Sequence, residues 1–163
     1  MRALKQTALQ TDATRGFGLD NTMTLTLNKA REILDTALNG ARERGMKPVT
    51  VAVLDAAGSL KAMAREDETS PMRPDIAHGK AYGAIAMGLG SRAIFNRAQE
   101  QPYFVQAMNS LAGGKLVPVP GGVLIRKDGV IIGAVGITGD SSDNDEACAI
   151  AAIEAAGFTA DGG

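Results

Sequence analysis

The chain contains a single histidine, His78, and an imidazole nitrogen can bind haem iron or carry a proton near neutral pH. It stands in a proline-free stretch, Asp75 to Leu89, where Ala77, Ala81, Ala84, Ile85 and Gly88 recur at helical spacing. On that helix His78 shares a stripe with Ala81, Tyr82, Ile85 and Leu89, so Tyr82 is the second acid/base candidate. The competing reading is a histidine packed or solvated on a helix with no chemical role. Charged residues surround it: Arg65, Glu66, Asp67 and Glu68 precede the helix, Arg73 lies at its start and Lys80 follows shortly after. Cationic side chains and the unpaired N–H groups of a helix start favour a carboxylate ligand. Against that stands the ordinary fate of mixed surface charges, which is solvation.

Other chemically suggestive residues fail on context. Gly133, Gly136 and Gly139 sit in or just beyond a strand of a hairpin, whereas a Gly-x-Gly-x-x-Gly phosphate loop needs a strand, a tight turn and a helix in one βαβ unit. A bulge or close packing explains them better. Ser141 and Ser142 lack a neighbouring histidine and a nucleophile-elbow pattern, so they read as helix caps. Cys148, in an Ala-rich helix, reads as a small buried hydrophobe. With one His and one Cys, a zinc site of the usual nitrogen and sulfur ligands cannot assemble, and no disulfide can close within the chain.

The elements that must position these groups follow from pattern. Leu27, Ala30, Ile33, Leu34, Ala37, Leu38 and Ala41 mark an amphipathic helix ended by Gly45 and Pro48. Val49–Leu54 and the alternation Leu60, Ala62, Ala64 flank the turn Asp55-Ala-Ala-Gly58 as a hairpin. The His78 helix comes next, its interior weakened by Gly79, Gly83 and Gly88 unless another backbone approaches closely there. Ser91 to Leu111 divides at Pro102 into two short helices. Val123–Arg126 and Val130–Val135 form a second hairpin about Lys127-Asp-Gly129, and Ala147 to Ala156 forms a last helix behind the acids and serines of 141–146. This order predicts an α+β domain with a largely antiparallel sheet. Residues 1–22 read as an arm, 23–158 as the single domain and 159–163 as a tail.

Composition narrows the partners. Among 163 residues the net charge is −1, without the basic balance that phosphate backbones or anionic membranes favour, and the 4% aromatic content offers few stacking platforms for bases. Nucleic acid and membrane are therefore not expected partners. The longest apolar stretch, Val130 to Thr138, is far shorter than the roughly 20 residues a spanning helix needs. No apolar secretory segment follows Arg2 and Lys5, so a cytoplasmic location is expected.

Several stretches together resemble the haem-degrading, HbpS-like family, which includes GlcG proteins and the C-terminal domain of PduO-type proteins. They are Val51-Ala-Val-Leu-Asp55 with Gly58, Arg65 and Asp67; Ile76-Ala77 with Lys80-Ala81; Gly121-Gly122; and Gly133-Ala-Val-Gly-Ile-Thr-Gly139 with Asp145. The likeness runs from residue 24 to residue 157. It implies a profilin-like antiparallel sheet of about five strands flanked by helices. It also implies assembly into oligomers and, in some members, binding of haem or another tetrapyrrole. This chain has Arg65-Glu66-Asp67-Glu68 where the family often has Arg-x-Asp-Gly, and Tyr82 where a small or β-branched residue is usual, differences that mark a specialised pocket.

The leading expectation is a small-ligand-binding protein that takes haem or a related tetrapyrrole, with His78 on the iron and Arg65, Asp67, Arg73 and Lys80 as ligand-binding residues. The alternative is a metal-independent lyase, isomerase or hydratase of a catabolic pathway, acting on a small organic or aromatic carboxylate with His78 and Tyr82 as acid and base. A third reading is a scaffold or accessory subunit with no occupied pocket. A homo-oligomer is expected, with Gly79, Gly83 and the arm at its interfaces.

Overall fold

The computed structural model describes residues 23–163, so the arm expected over 1–22 lies outside the described residues. In chain order the elements are α1 (Leu27–Glu43), β1 (Thr50–Asp55), β2 (Leu60–Arg65), α2 (Arg73–Met87), α3 (Ser91–Glu100), α4 (Pro102–Leu111), β3 (Gly122–Lys127), β4 (Val130–Thr138), α5 (Ser142–Ala155) and β5 (Thr159–Asp161). The five strands form one antiparallel sheet in the order β2-β1-β4-β3-β5, giving the α+β architecture expected from the sequence. The two hairpins, β1–β2 and β3–β4, are joined along the seam between β1 and β4. Residues 159–161, read as part of a tail, instead form β5 against β3; three residues at a glycine-rich end are too few to show a strand period. No helix among the described residues is long and apolar enough to cross a membrane.

Capping sets the outer helices. The Thr26 hydroxyl accepts from Lys29 N at 3.2 Å at the start of α1, and Ser141 Oγ accepts from Asn144 N at 3.2 Å at the start of α5. Both helices bury an aliphatic stripe, including Ile33, Ala37, Ala149 and Ile153, against Val51, Val53, Val123, Ile125, Val135 and Ile137 of one sheet face. In β4 an extra residue opposite Ile125 and Arg126 turns Ile132 toward that core and leaves Ile131 on the other side.

The opposite face carries α2, and there the sheet is floored with small residues. Gly122 of β3 lies directly opposite Gly136 of β4, which pairs in turn with Ala52 of β1. A β-carbon at Gly136 would overlap the Ala77 carbonyl, and one at Gly122 would overlap the Lys80 carbonyl. These glycines let the backbone of α2 rest on the sheet itself. The glycines of α2 have different partners from those expected. Gly79 and Gly83 are filled from within the chain by Val117 and Leu116, which replaces their predicted place at a subunit interface. Gly88 does not interrupt α2 but ends it, at φ +65°.

Candidate functional site

The edge of α2 away from the sheet forms one wall of a groove of about 320 Å³. Met72, Asp75, Ile76 and His78 line this wall, and Gly114, Lys115 and Val117 line the other. The second wall exists because Gly113 and Gly114, at φ +66° and +80°, reverse the chain after α4. Asn109 Oδ1 then accepts from Leu116 N at 3.0 Å, and Gly79 O accepts from Val117 N at 3.2 Å. These bonds pin the returning segment along α2 and bring the Lys115 ammonium to 5.9 Å from the Tyr82 ring centre.

His78 and Tyr82, one helical turn apart, stack with ring centres 5.9 Å apart and planes 15° from parallel. Tyr82 packs against the β1–β2 turn at Gly58, so the tyrosine backs the imidazole from a fixed position. Both rings are half-buried. The groove thus combines apolar side chains of Met72, Ile76 and Val117 with one imidazole, one amine and the Asp75 carboxylate. Such a set suits a flat apolar ligand that carries an acidic group.

His78 and Tyr82 therefore come together as expected, but none of the four expected ligand-binding residues lines this groove. Lys80 is the clearest correction. It is 2% exposed, and its Nζ donates to Asp145 Oδ2 at 3.1 Å and to Ile137 O at 2.9 Å, so it ties α2 to the end of β4 and the first turn of α5. Burial pushes its pKa below the ordinary lysine value, with Arg73 adding to the shift and Asp145 opposing it. Its sequence position beside His78 suggested an outward cation; the glycine floor brings that side of α2 against the sheet instead. Arg73 reaches from the first turn of α2 to Thr138, donating to its hydroxyl at 2.7 Å. Arg65 ends β2 and donates to Thr69 O at 3.2 Å, while Asp67 is exposed in the following turn. Met72, Asp75 and Lys115 were not expected at the site. Lys115 lies in a stretch without periodicity, and the only signal for it was the chain reversal implied by Gly113-Gly114.

Cys148 is buried, its thiol donating to Ala37 O at 3.3 Å, and burial raises its pKa, as suits the structural part read from the sequence.

Comparison with known proteins places this geometry among relatives. Residues 25–154 match the family model described as haem degrading protein HbpS-like. The corrinoid adenosyltransferase PduO of Citrobacter freundii is 27% identical over 148 residues, covering 91% of this chain and 42% of that protein. The chain therefore spans less than half the length of that relative. Among solved structures, the PduOC:heme complex superposes with a TM-score of 0.75 at 27% identity, over 83% of this chain and 96% of that one. The HbpS double mutant of Streptomyces reticuli superposes with a TM-score of 0.70 at 27% identity, over 91% of this chain and 98% of that one.

Proposed function

This chain belongs to the HbpS-like family, and from that membership we propose that it is a cytoplasmic small-ligand-binding protein whose α2 groove takes haem or a related tetrapyrrole. The observation that supports the reading most is the half-exposed His78 imidazole, backed by Tyr82, facing a groove whose far wall supplies Lys115. A haem asks for a nitrogen toward its iron, apolar surface along its ring and a cation near a carboxylate, and His78, Ile76 with Val117, and Lys115 match those demands in turn. Haem would supply the metal and the colour; the chain supplies orientation and exclusion of water. The solved complex of the related PduOC with heme adds to this reading.

The test is optical. Haem titrated into the purified protein gives a Soret shift in the wild type, and His78→Ala abolishes or displaces it. Lys115→Ala keeps the band position and weakens the affinity. A Soret shift unchanged in His78→Ala overturns the assignment of His78 to iron.

The His78–Tyr82 stack also favours a second reading, in which the pair acts as acid and base on a small carboxylate held by Lys115, without a metal. Turnover of a carboxylate substrate that is lost in both His78→Gln and Tyr82→Phe would select it. We also propose a homo-oligomer, with exposed Tyr103 and Leu111 of α4 as its apolar contact surface in place of Gly79 and Gly83. Light scattering that gives the 16.8 kDa monomer mass at all concentrations overturns that.

A further inference from the structure

We propose a second binding site, for a small oxyanion, at the end of the sheet under the start of α2, formed by Thr50, Arg65, Thr138 and Arg73. Thr50 of β1 lies directly opposite both Arg65 of β2 and Thr138 of β4. Directly paired residues project on the same side of a sheet with β-carbons about 4.5–5.5 Å apart, so these three side chains form one row. By the alternation along β1, Thr50 projects on the side of Leu54, which packs with α2. Arg73 meets the row from above through its bond to Thr138 Oγ1.

Two observations point from this row to a ligand. Thr50 is fully buried, yet its hydroxyl has no hydrogen-bond partner among the described residues, although buried polar groups are nearly always paired. Neither guanidinium forms an ion pair among the described residues: each donates to one neutral oxygen, Thr69 O or Thr138 Oγ1, and keeps further N–H groups for another acceptor. The helix above adds only its dipole: Met72 at its N-cap offers no side-chain acceptor, while Arg73 N and Ile76 N already donate to Ser70 O and Met72 O.

The nearby acids do not neutralise the row. Asp145 is taken by Lys80, and Glu66 accepts from Arg42 and from Val49 N. Asp67 and Glu68 are exposed in the turn after β2 and bond to neither arginine. Arg65 is itself exposed on the edge strand β2, while Thr50 and Thr138 are buried behind it. A carboxylate or phosphate oxygen there would accept from the Thr50 hydroxyl and from both guanidiniums. None of these residues lines the His78 groove.

Inorganic phosphate and acetate, titrated separately by calorimetry and amide-resolved NMR, test the proposal and distinguish the two chemistries. At least one anion binds saturably and shifts the Thr50 and Thr138 amides, and the one that binds names the class. Arg73→Gln and Arg65→Gln each weaken that binding about tenfold or more, in line with the loss of a charge-assisted contact. Thr50→Val, which replaces a hydroxyl with a methyl of nearly the same shape, weakens binding several-fold and raises the Tm of the ligand-free protein. Binding of neither anion, or equal binding by the arginine variants, overturns the site. So does a Thr50→Val variant that lowers the ligand-free Tm and leaves the affinity unchanged. His78→Ala leaves the anion titration as in the wild type, so failure of haem binding and failure of this site are read separately.

Discussion

The two faces of the sheet are built from different materials. Under α1 and α5 the contact is made by side chains: Ile33, Val53, Ile125, Val135 and Ile153 pack together in one apolar cluster. Under α2 the contact is made by backbone, over Ala52, Gly136 and Gly122, and large apolar residues are few. A core of interlocking side chains tolerates change by degrees, because a shortened side chain leaves a cavity that its neighbours partly fill. A backbone seat has no such latitude. It also determines which groups can sit nearby: with α2 this low on the sheet, Lys80 is driven into the interior, and the far edge of the helix is free to present His78 and Tyr82.

The contrast can be broken most severely at the seat. Gly136→Ala is expected to cost about 4 kcal/mol or more, the exceptional range reserved for overlap with fixed backbone, and urea denaturation measures it. Lys80→Met, which strands the Asp145 carboxylate in the interior, costs about 3–5 kcal/mol, and adding Asp145→Asn recovers part of the loss. On the other face, Ile33→Ala costs about 2–5 kcal/mol while Ile33→Val costs about 0.5–1.5, the graded response that the seat lacks. If Gly136→Ala proves milder than Ile33→Ala, the distinction between the faces is wrong.

A smaller change works in the stabilising direction. Glu68 holds φ +67°, a backbone state that costs an L-residue roughly 1–2 kcal/mol. Glu68→Gly is therefore expected to raise stability by about 1 kcal/mol or less, because the freer unfolded chain offsets part of the relief. The smallest effect is electrostatic. Hydrogen bonds from Lys47 N, Ser141 N and Asn144 Nδ2 lower the Asp140 pKa from 3.8 to about 2. A carboxyl group with a depressed folded pKa stabilises the fold above its unfolded value, and the contribution disappears as pH falls toward 2. Asp140→Asn should flatten the stability profile between about pH 4 and pH 2 and leave it unchanged in slope near neutrality.

Most of the architecture was legible because it rests on local patterns: the Leu27–Ala41 stripe, the two hairpins, the break at Pro102 and the cap at Ser141 all occupy the places their residues predict. Two features escaped for the same physical reason. β5 is defined by its pairing with β3, and the inward turn of Lys80 by the glycines of strands far along the chain; neither leaves a mark in its own neighbourhood. At the site, the His78–Tyr82 pair was readable from helical spacing, whereas Lys115 depends on a chain reversal and Thr50 on a register that links three strands.

The floor under α2 draws on both hairpins, Ala52 from one and Gly136 with Gly122 from the other, which gives the protein an order of assembly. Each hairpin can form early from neighbours in sequence, but the seam that joins Thr50 to Thr138 must close a long loop before α2 has anywhere to rest. Both ligand-facing edges of α2 would then acquire their shape only in the closing stage of folding. Substitutions at Ala52 or Val135 should slow refolding, whereas substitutions at His78 or Lys115 should leave the folding rate alone and act on unfolding.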